Sequence, residues 1–156
     1  MQIHPLDRAD VPRIWDEIDR SETHDEIYVV RDGALELAPF HFEIRGWQLE
    51  MVEHDAPRLE RADVLLGAFD GGRLVGVAAL EGERLYYLYV DAAHRGRGVG
   101  SALFEAAVSR VPRLLVSSIP TRNTVEFYLA RGCRVDPSPP AEQVAAEPVD
   151  VQLIWP

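Results

Sequence analysis

The sequence contains no lysine, and all 16 of its basic side chains are arginine. Without lysine the chain cannot form a Schiff base with pyridoxal phosphate, and it cannot carry a phosphate-binding loop of the Gly-Lys-Ser/Thr type. Cys133 is its single cysteine, which excludes an internal disulfide and a cysteine-rich metal site. No metal-binding spacing such as His-Glu-x-x-His occurs among the histidines, which are His4, His24, His41, His54 and His94. We therefore expect no metal site.

Long apolar runs are also missing, since none approaches the roughly 20 residues that a membrane-spanning helix needs. The first seven residues lack the basic and apolar regions of a secretion signal, so we expect a cytoplasmic protein. Basic residues are outnumbered by 26 acidic ones, which gives a formal net charge of −10. This charge repels nucleic acids and anionic membranes, and it mildly concentrates cationic solutes besides favouring solubility.

What is present is the composition of an ordinary globular chain, with 47% apolar and 27% charged residues. A chain of 156 residues is long enough to bury an apolar core without disulfides or metal ions. We therefore predict one domain spanning residues 1–156.

Apolar periodicity predicts several elements in the first half of the chain. Residues 9–19 carry an apolar stripe at helical spacing, and Asp7 is placed to cap that helix. Residues 27–37 are typical of two short strands around an Asp-Gly turn, and a helix is the alternative for this segment. Residues 38–62 show no dominant period, so no element is predicted there.

The pattern is clearer from residue 64 onward. Residues 64–69 and 74–80 predict an antiparallel hairpin, and residues 85–90 predict a third strand rich in aromatic and branched side chains. Further elements are predicted as helices at 99–110 and about 121–131, strands at 114–117, 133–135 and 149–154, and a flexible loop at 137–148. These elements favour the α/β class, with a mixed, mostly antiparallel central sheet flanked by helices.

A glycine-rich segment, Arg95-Gly96-Arg97-Gly98-Val99-Gly100-Ser101, lies between the third strand and the following helix. Glycines allow a ligand to approach the backbone, and the free amides of a first helical turn attract anions. The segment therefore predicts an anion site that suits a diphosphate, with Arg95 or Arg97 adding charge. A plain packing turn is one alternative, and a dinucleotide-binding fold is another, although Ser101 stands where its fingerprint needs glycine.

Two motifs resemble those of the GCN5-related N-acetyltransferases. Residues 90–103 are similar to the family's acetyl-coenzyme A signature, with Arg95, Gly98 and Gly100 on its Arg/Gln-x-x-Gly-x-Gly/Ala positions. Residues 123–133 are similar to its Asn, Phe-Tyr and Gly-Phe segment, with Cys133 where an aromatic residue is usual. The resemblance is strongest over residues 64–135, which we predict to form the cofactor-binding core.

The resemblance implies a cofactor cleft between two splayed strands of the sheet, with acetyl-coenzyme A as the acyl donor. The pantetheine arm would bind the strand end at Leu88, Tyr89 and Val90, and the diphosphate would bind the amides of residues 95–101. Asn123 and Tyr128 would face the thioester. The residues that the resemblance assigns to the cofactor are thus Leu88, Tyr89, Val90, Arg95, Gly96, Arg97, Gly98, Val99, Gly100, Ser101, Asn123 and Tyr128.

Direct transfer needs an acid for the leaving thiolate and a base for the ammonium of the acceptor. The resemblance implies Tyr128 as the acid. The base stays open among Glu22, His24, Glu81, Glu83 and a water relay.

Residues of the predicted acceptor site come from two places. Glu22 and His24 follow the first helix, where the family has its acceptor walls. Tyr86 would point to the acceptor because it alternates with Leu88 and Val90, and Tyr87 would face the opposite side. We predict transfer of acetyl to a primary amine of a small acceptor. The acidity of the chain favours a cationic acceptor such as a polyamine or an aminoglycoside-like amine, and a protein N-terminus or an amino acid is also allowed. A homodimer is compatible with the sequence. The alternative is a non-catalytic protein that binds or senses acyl-coenzyme A.

Overall fold

The computed structural model describes all residues from Met1 to Pro156. Its strands are β1 (Gln2–Pro5), β2 (Glu22–Arg31), β3 (Ala34–Ile44), β4 (Val64–Asp70), β5 (Arg73–Glu81), β6 (Arg84–Val90), β7 (Leu114–Ser118), β8 (Arg134–Val135) and β9 (Val151–Trp155). Its α-helices are α1 (Pro12–Glu17), α2 (Leu49–Glu60), α3 (Val99–Val108), α4 (Arg122–Leu129) and α5 (Ala141–Ala146). No helix combines the length and apolar composition needed to span a membrane.

The chain forms two compact units, each built from two segments. The first unit comprises Met1–Glu22 and Ile44–Pro112, and the second comprises Thr23–Glu43 and Arg113–Pro156. The described strand pairs in both units are antiparallel. This architecture confirms the predicted α/β class with a mostly antiparallel sheet and flanking helices.

Four strands of the first unit lie in the order β1-β4-β5-β6. Their side chains alternate between two helical layers, because successive residues of a strand point to opposite faces. Gly76 on β5 faces α3, where an added Cβ would come within 3.0 Å of Val99 and Leu103. The next residue, Val77, belongs to a buried cluster on the other face, together with Ile14 of α1 and Leu59 of α2. The hairpin at 64–80 and the third strand are thus confirmed.

Tyr86 forms a β-bulge in β6. Ala79 pairs with Tyr87 and Leu80 pairs with Leu85, so Tyr86 is the extra residue between two paired positions. A bulge interrupts the alternation of side chains that a regular strand imposes. Both Tyr86 and Tyr87 consequently contact α2, and their ring centroids lie 6.2 Å apart. The prediction that these two tyrosines face opposite sides of the sheet is therefore wrong.

The second unit contains the β2-β3 hairpin and three strands that lie in the order β7-β9-β8. The hairpin confirms the Asp-Gly turn, since both Asp32 and Gly33 have positive φ angles, but its strands extend well beyond residues 27–37. Gly132 follows α4 with a φ of +92°, the left-handed conformation expected of a residue at a helix C-terminus. The predicted flexible loop at 137–148 is wrong in its centre, because α5 forms there and buries Gln143.

The N-terminal region has regular structure, and so do residues 38–62, for which no element was predicted. The predicted first helix is a 3₁₀ turn at Arg8–Asp10 followed by α1, because Pro12 interrupts the backbone bonds of a continuous helix. Asp7 accepts the backbone N–H of Ala9, which confirms its capping role. Residues 38–62 contain the end of β3 and all of α2.

Candidate functional site

The connection from β6 to α3 requires glycine at two positions. Gly96 and Gly98 have φ angles of +73° and +83°, which side chains with a Cβ adopt only with strain. Gly98 is also the residue that caps α3, and no side chain caps the helix at this end. A Cβ added to either glycine would meet no atom within 4 Å. The glycines therefore produce a backbone turn with open space beside it.

The backbone amides of this turn form an anion cradle, which we define as residues 96–100. Their N–H groups donate to no backbone carbonyl outside α3, and the first turn of a helix has no internal partners for its amides. The partial positive charge of the helix N-terminus adds to these donors. Gly96, Arg97 and Gly98 are exposed, so a ligand can reach the backbone. The cradle has the chemistry that a diphosphate requires.

The two arginines beside the cradle differ in their contacts. Arg95 donates to the carbonyl of Ser21 at 3.1 Å, and its guanidinium lies 3.9 Å from the carboxylate of Glu22. Arg97 is exposed and forms no ion pair or hydrogen bond through its side chain. Of these two arginines, Arg97 is therefore the one whose charge no other group of the chain uses.

Asp91 is a residue of this region that the sequence did not reveal. It follows β6 directly and is 2% exposed. Its carboxylate accepts the backbone N–H of Asp19 at 2.8 Å and contacts the Nδ1 atom of His94 at 2.8 Å, and Arg73 lies 3.8 Å away. Burial raises the pKa of Asp91, but the combined effect of these hydrogen bonds and of Arg73 outweighs burial and lowers it below the ordinary value. Asp91 is therefore a buried anion that organises the chain around it.

Asp19 and its neighbours connect the end of α1 to the cradle. The Asp19 carbonyl accepts the N–H of Ala92 at 2.8 Å, and the Asp19 carboxylate accepts both the N–H and the hydroxyl of Ser21. These hydrogen bonds fix the segment that precedes β2. Glu22, which is predicted to line the acceptor site, is thereby held beside Arg95.

The end of β6, which is predicted to bind the pantetheine arm, consists of Leu88, Tyr89 and Val90. All three residues are half-buried. They pair in this order with Ala78, Val77 and Gly76 of β5. The ring of Tyr89 packs edge-on against Trp47 with the centroids 5.1 Å apart.

Tyr86, predicted to face the acceptor, contacts α2 instead of extending freely. Its hydroxyl donates to the carbonyl of Arg58 at 3.1 Å, and the Arg58 guanidinium lies 4.0 Å from its ring centroid. Burial raises the pKa of Tyr86 to about 12. This phenol therefore stays protonated at neutral pH, and its hydrogen already has an acceptor.

Three predicted site residues lie in the second unit. Asn123 and Tyr128 belong to α4, and His24 belongs to β2. Tyr128 is 5% exposed, with its ring packed edge-on against Phe127. His24 and Asn123, which were predicted for different roles, line one groove of about 340 Å³. The other residues of this groove are Thr23, Asp25, Glu26, Arg122 and Glu126.

A general base poised near neutral pH needs a raised pKa. The pKa is lowered in Glu17, Asp19, Asp91 and Glu126, so these four carboxyl groups do not suit that role. Of the candidates, Glu81 pairs with Arg58 at 3.2 Å. Cys133 is a poor nucleophile, because burial raises the pKa of its thiol to about 11.

Comparisons with known proteins agree on the type of domain. Residues 35–145 match the family model described as Acetyltransferase (GNAT) domain. Nourseothricin acetyltransferase is similar in structure, with a TM-score of 0.66, 18% identity, and coverage of 98% of this chain and 95% of that one. No curated protein matches this chain by sequence.

Two further solved structures cover 98% of this chain at 12% identity. The PaiA N-acetyltransferase from Thermoplasma acidophilum, in complex with coenzyme A, has a TM-score of 0.59 and is covered over 96% of its length. The ribosomal-protein-S18-alanine N-acetyltransferase from Escherichia coli has a TM-score of 0.60 and is covered over 88%. At these identities the similarity concerns the fold.

Proposed function

Because this chain belongs to the acetyltransferase (GNAT) domain family, we propose that it transfers the acetyl group of acetyl-coenzyme A to a primary amine of a small molecule. The observation that carries the proposal is the anion cradle. Its backbone amides at residues 96–100 lie at the N-terminus of α3, and both positive-φ glycines leave the space beside them open.

In the proposed binding mode the cradle amides donate hydrogen bonds to the diphosphate of the donor. Arg97 adds a charge-assisted contact, because its side chain has no competing partner. The end of β6 at Leu88–Val90 would accompany the pantetheine arm. The complex of the PaiA enzyme with coenzyme A supports this choice of donor.

The proposed reaction is a direct acyl transfer. The nitrogen of the neutral amine attacks the thioester carbonyl carbon, a C–N bond forms and the C–S bond breaks. Coenzyme A leaves as the thiolate, and the amine nitrogen loses one proton. We propose that Tyr128 supplies the proton that the thiolate takes up and that Asn123 assists at the thioester, as their positions in the family motif imply. The base is left unassigned, and solvent can accept the amine proton.

The acceptor class does not follow from the fold. The names of similar enzymes refer to nourseothricin and to the alanine of a ribosomal protein. The proposal of a small amine rests on the net charge of −10, which attracts cationic amines to the molecule. Glu22 and His24 remain proposed acceptor contacts.

A second candidate function is binding or sensing of acyl-coenzyme A without transfer. It is favoured by one observation: the pKa is lowered in Glu17, Asp19, Asp91 and Glu126, which does not suit any of these four carboxyl groups to act as a general base. A protein of this kind needs the cradle but needs neither an acid nor a base.

A thiol-release assay distinguishes the two functions. The full chain is incubated with acetyl-coenzyme A and each of a panel of amines, and free coenzyme A is measured against reactions without amine. We expect amine-dependent release that the Tyr128→Phe variant reduces. Micromolar binding of acetyl-coenzyme A with no release for any amine would overturn the enzyme and support the sensor. Absence of both binding and release would overturn both functions.

A further inference from the structure

Arg20 is held between two aromatic rings of the first unit. Its guanidinium carbon lies 4.8 Å from the ring centroid of Trp47 and 5.6 Å from that of Tyr89. A guanidinium at these distances interacts favourably with an aromatic face while its edge still offers hydrogen-bond donors. The two rings also contact each other edge-on, with a centroid distance of 5.1 Å. Arg20 is therefore held by packing and not by an ion pair.

The donors of Arg20 are poorly satisfied within the chain. Its single polar contact is a long one of 3.5 Å from Nη1 to the hydroxyl of Tyr89, and its buried Nε has no partner. The chain has 26 acidic residues, yet Arg20 takes part in none of the described ion pairs, and its contacts are to Trp47 and Tyr89. The Nη atoms of the guanidinium have only the long contact to Tyr89, so they keep N–H donors for a bound anion.

The position of Arg20 is fixed by its neighbours. The indole N–H of Trp47 donates to the carbonyl of Ile18 at 2.7 Å, and Ile18 is buried. On the other side, the backbone N–H of Asp19 donates to Asp91. The guanidinium is thus prearranged, which reduces the entropy that a ligand must lose on binding.

Arg20 also lies at the same end of the sheet as the anion cradle. Its partner Tyr89 is the second-last residue of β6, directly before Val90 and Asp91. The segment that carries Arg20 is hydrogen-bonded to Asp91, Ala92 and Arg95, which lead into the cradle. An anion on Arg20 would therefore lie close to the bound donor.

We propose that Arg20 binds the carboxylate of the acceptor, so that the acceptor is an amino acid or another primary amine bearing a carboxylate. This inference rests on the proposed acetyltransferase function and specifies its substrate class. The planar guanidinium matches the two oxygens of a carboxylate. A cationic polyamine, in contrast, gains nothing from this site and is repelled by it. The 3′-phosphate of coenzyme A is the other oxyanion that this guanidinium suits, and the experiment separates the two.

The test compares each amino acid with its carboxamide, which keeps the amine but lacks the charge. We expect the wild-type chain to prefer the acid in kcat/KM by about 10- to 100-fold, the range that hydrogen bonds to a charged group support. Arg20→Met keeps the aliphatic packing, and it should abolish this preference through a higher KM for the acid. Its rate with the carboxamide should not change. Arg20→Lys should restore part of the preference.

Arg58→Met is the matched control, because Arg58 also stacks on a tyrosine but is paired with Glu81. It should leave the preference unchanged. An unchanged preference in Arg20→Met, with the variant folded by thermal melting, would overturn the proposal. Calorimetric titration with coenzyme A and with dephospho-coenzyme A tests whether Arg20 binds the 3′-phosphate instead. If Arg20→Met weakens the binding of coenzyme A but not that of dephospho-coenzyme A, the site belongs to the 3′-phosphate and the proposal is wrong.

Failure of the proposed function would be recognised separately. If no amine releases coenzyme A, calorimetric titration of amino acids into the complex with coenzyme A still tests Arg20. Binding that Arg20→Met abolishes would support the carboxylate site even in a sensor. Absence of binding for every amino acid, in both the kinetic and the calorimetric arms, would overturn the inference.

Discussion

The buried carboxylate of Asp91 accepts the backbone N–H of Asp19 at 2.8 Å, and the carbonyl of Asp19 accepts the backbone N–H of Ala92 at 2.8 Å. These two hydrogen bonds connect the segment after α1 with the residues that lead into the anion cradle. Arg95 adds a third connection through the carbonyl of Ser21. Arg95, which is predicted to contact the donor, and Glu22, which is predicted to contact the acceptor, thus lie side by side within the first unit.

Asp91→Asn should reduce the free energy of unfolding at neutral pH by about 1–3 kcal/mol, because the amide loses the charged hydrogen bonds to Asp19 and His94. Urea denaturation at pH 7 measures this loss. Asp16→Asn is the control, since Asp16 is exposed and forms no hydrogen bond. An equal effect of both substitutions would contradict the role of Asp91.

The same residue should contribute to acid sensitivity. The folded-state pKa of Asp91 is lowered, mainly because the hydrogen bonds from Asp19 and His94 oppose the effect of burial. Its contribution to stability is therefore complete above the unfolded pKa of about 3.9 and is lost as the pH falls through the lower folded value. Between pH 5 and pH 3, the stability of the wild type should fall more steeply than that of Asp91→Asn. Parallel curves would show that Asp91 does not take part.

Arg97→Ala should weaken binding of coenzyme A by about 3- to 10-fold without lowering the melting temperature, because its exposed side chain has no partner in the chain. Arg95→Ala should instead loosen the segment at Ser21 and raise the acceptor KM. Calorimetry and steady-state kinetics measure the two effects. Arg61→Ala, another exposed arginine, controls for net charge. A stronger loss of coenzyme A affinity in Arg95→Ala than in Arg97→Ala would reverse this division of roles.

Tyr128→Phe should lower kcat by about 100-fold and leave the affinity for coenzyme A almost unchanged, because only the proposed acid is removed. Since Tyr128 is buried against Phe127, the retained ring should preserve packing. Tyr28→Phe is the control, as its hydroxyl donates to Glu126 and has no proposed role in the reaction. Wild-type turnover in Tyr128→Phe would remove it from the acid role.

Tyr86→Phe should cost about 1 kcal/mol of stability, because the carbonyl of Arg58 loses its hydrogen bond from the phenol. The predicted role of Tyr86 in acceptor binding is tested by the acceptor KM of the same variant. With its hydroxyl bound to α2, we expect that KM to stay within about twofold of wild type. A KM raised tenfold or more would return Tyr86 to the acceptor site.

The sequence allowed much of the fold to be predicted where a single signal dominated. The sequences of β4 to β6 are rich in apolar residues, and glycines mark the turns between them. These signals predicted the positions of the three strands, which the structure confirms. The bulge at Tyr86 was not predictable, since a bulge depends on pairing with β5 and leaves no local pattern. Helix α5 was missed because four prolines surround its short sequence and its burial depends on contacts distant in the chain.

The candidate site was predictable to a similar extent. The open space beside Gly96 and Gly98 agrees with the predicted approach of a ligand to the backbone, whereas their positive φ angles were not predicted. Asp91 and Arg20 were missed because their significance comes from tertiary partners, namely Asp19 for the first and two aromatic rings for the second. An acidic residue directly after an apolar strand and three residues before His94 is the signal by which Asp91 could have been noticed.

The most direct test of the account is calorimetric titration of coenzyme A into Gly98→Val and Gly82→Val. Both glycines have positive φ angles and open space where a Cβ would lie, so both variants should lose similar stability from backbone strain. Gly82 lies in the β5–β6 turn, away from the cradle. We predict that Gly98→Val loses at least 100-fold in affinity while Gly82→Val binds as the wild type does. Wild-type affinity in folded Gly98→Val would contradict the claim that the backbone of residues 96–100 holds the donor.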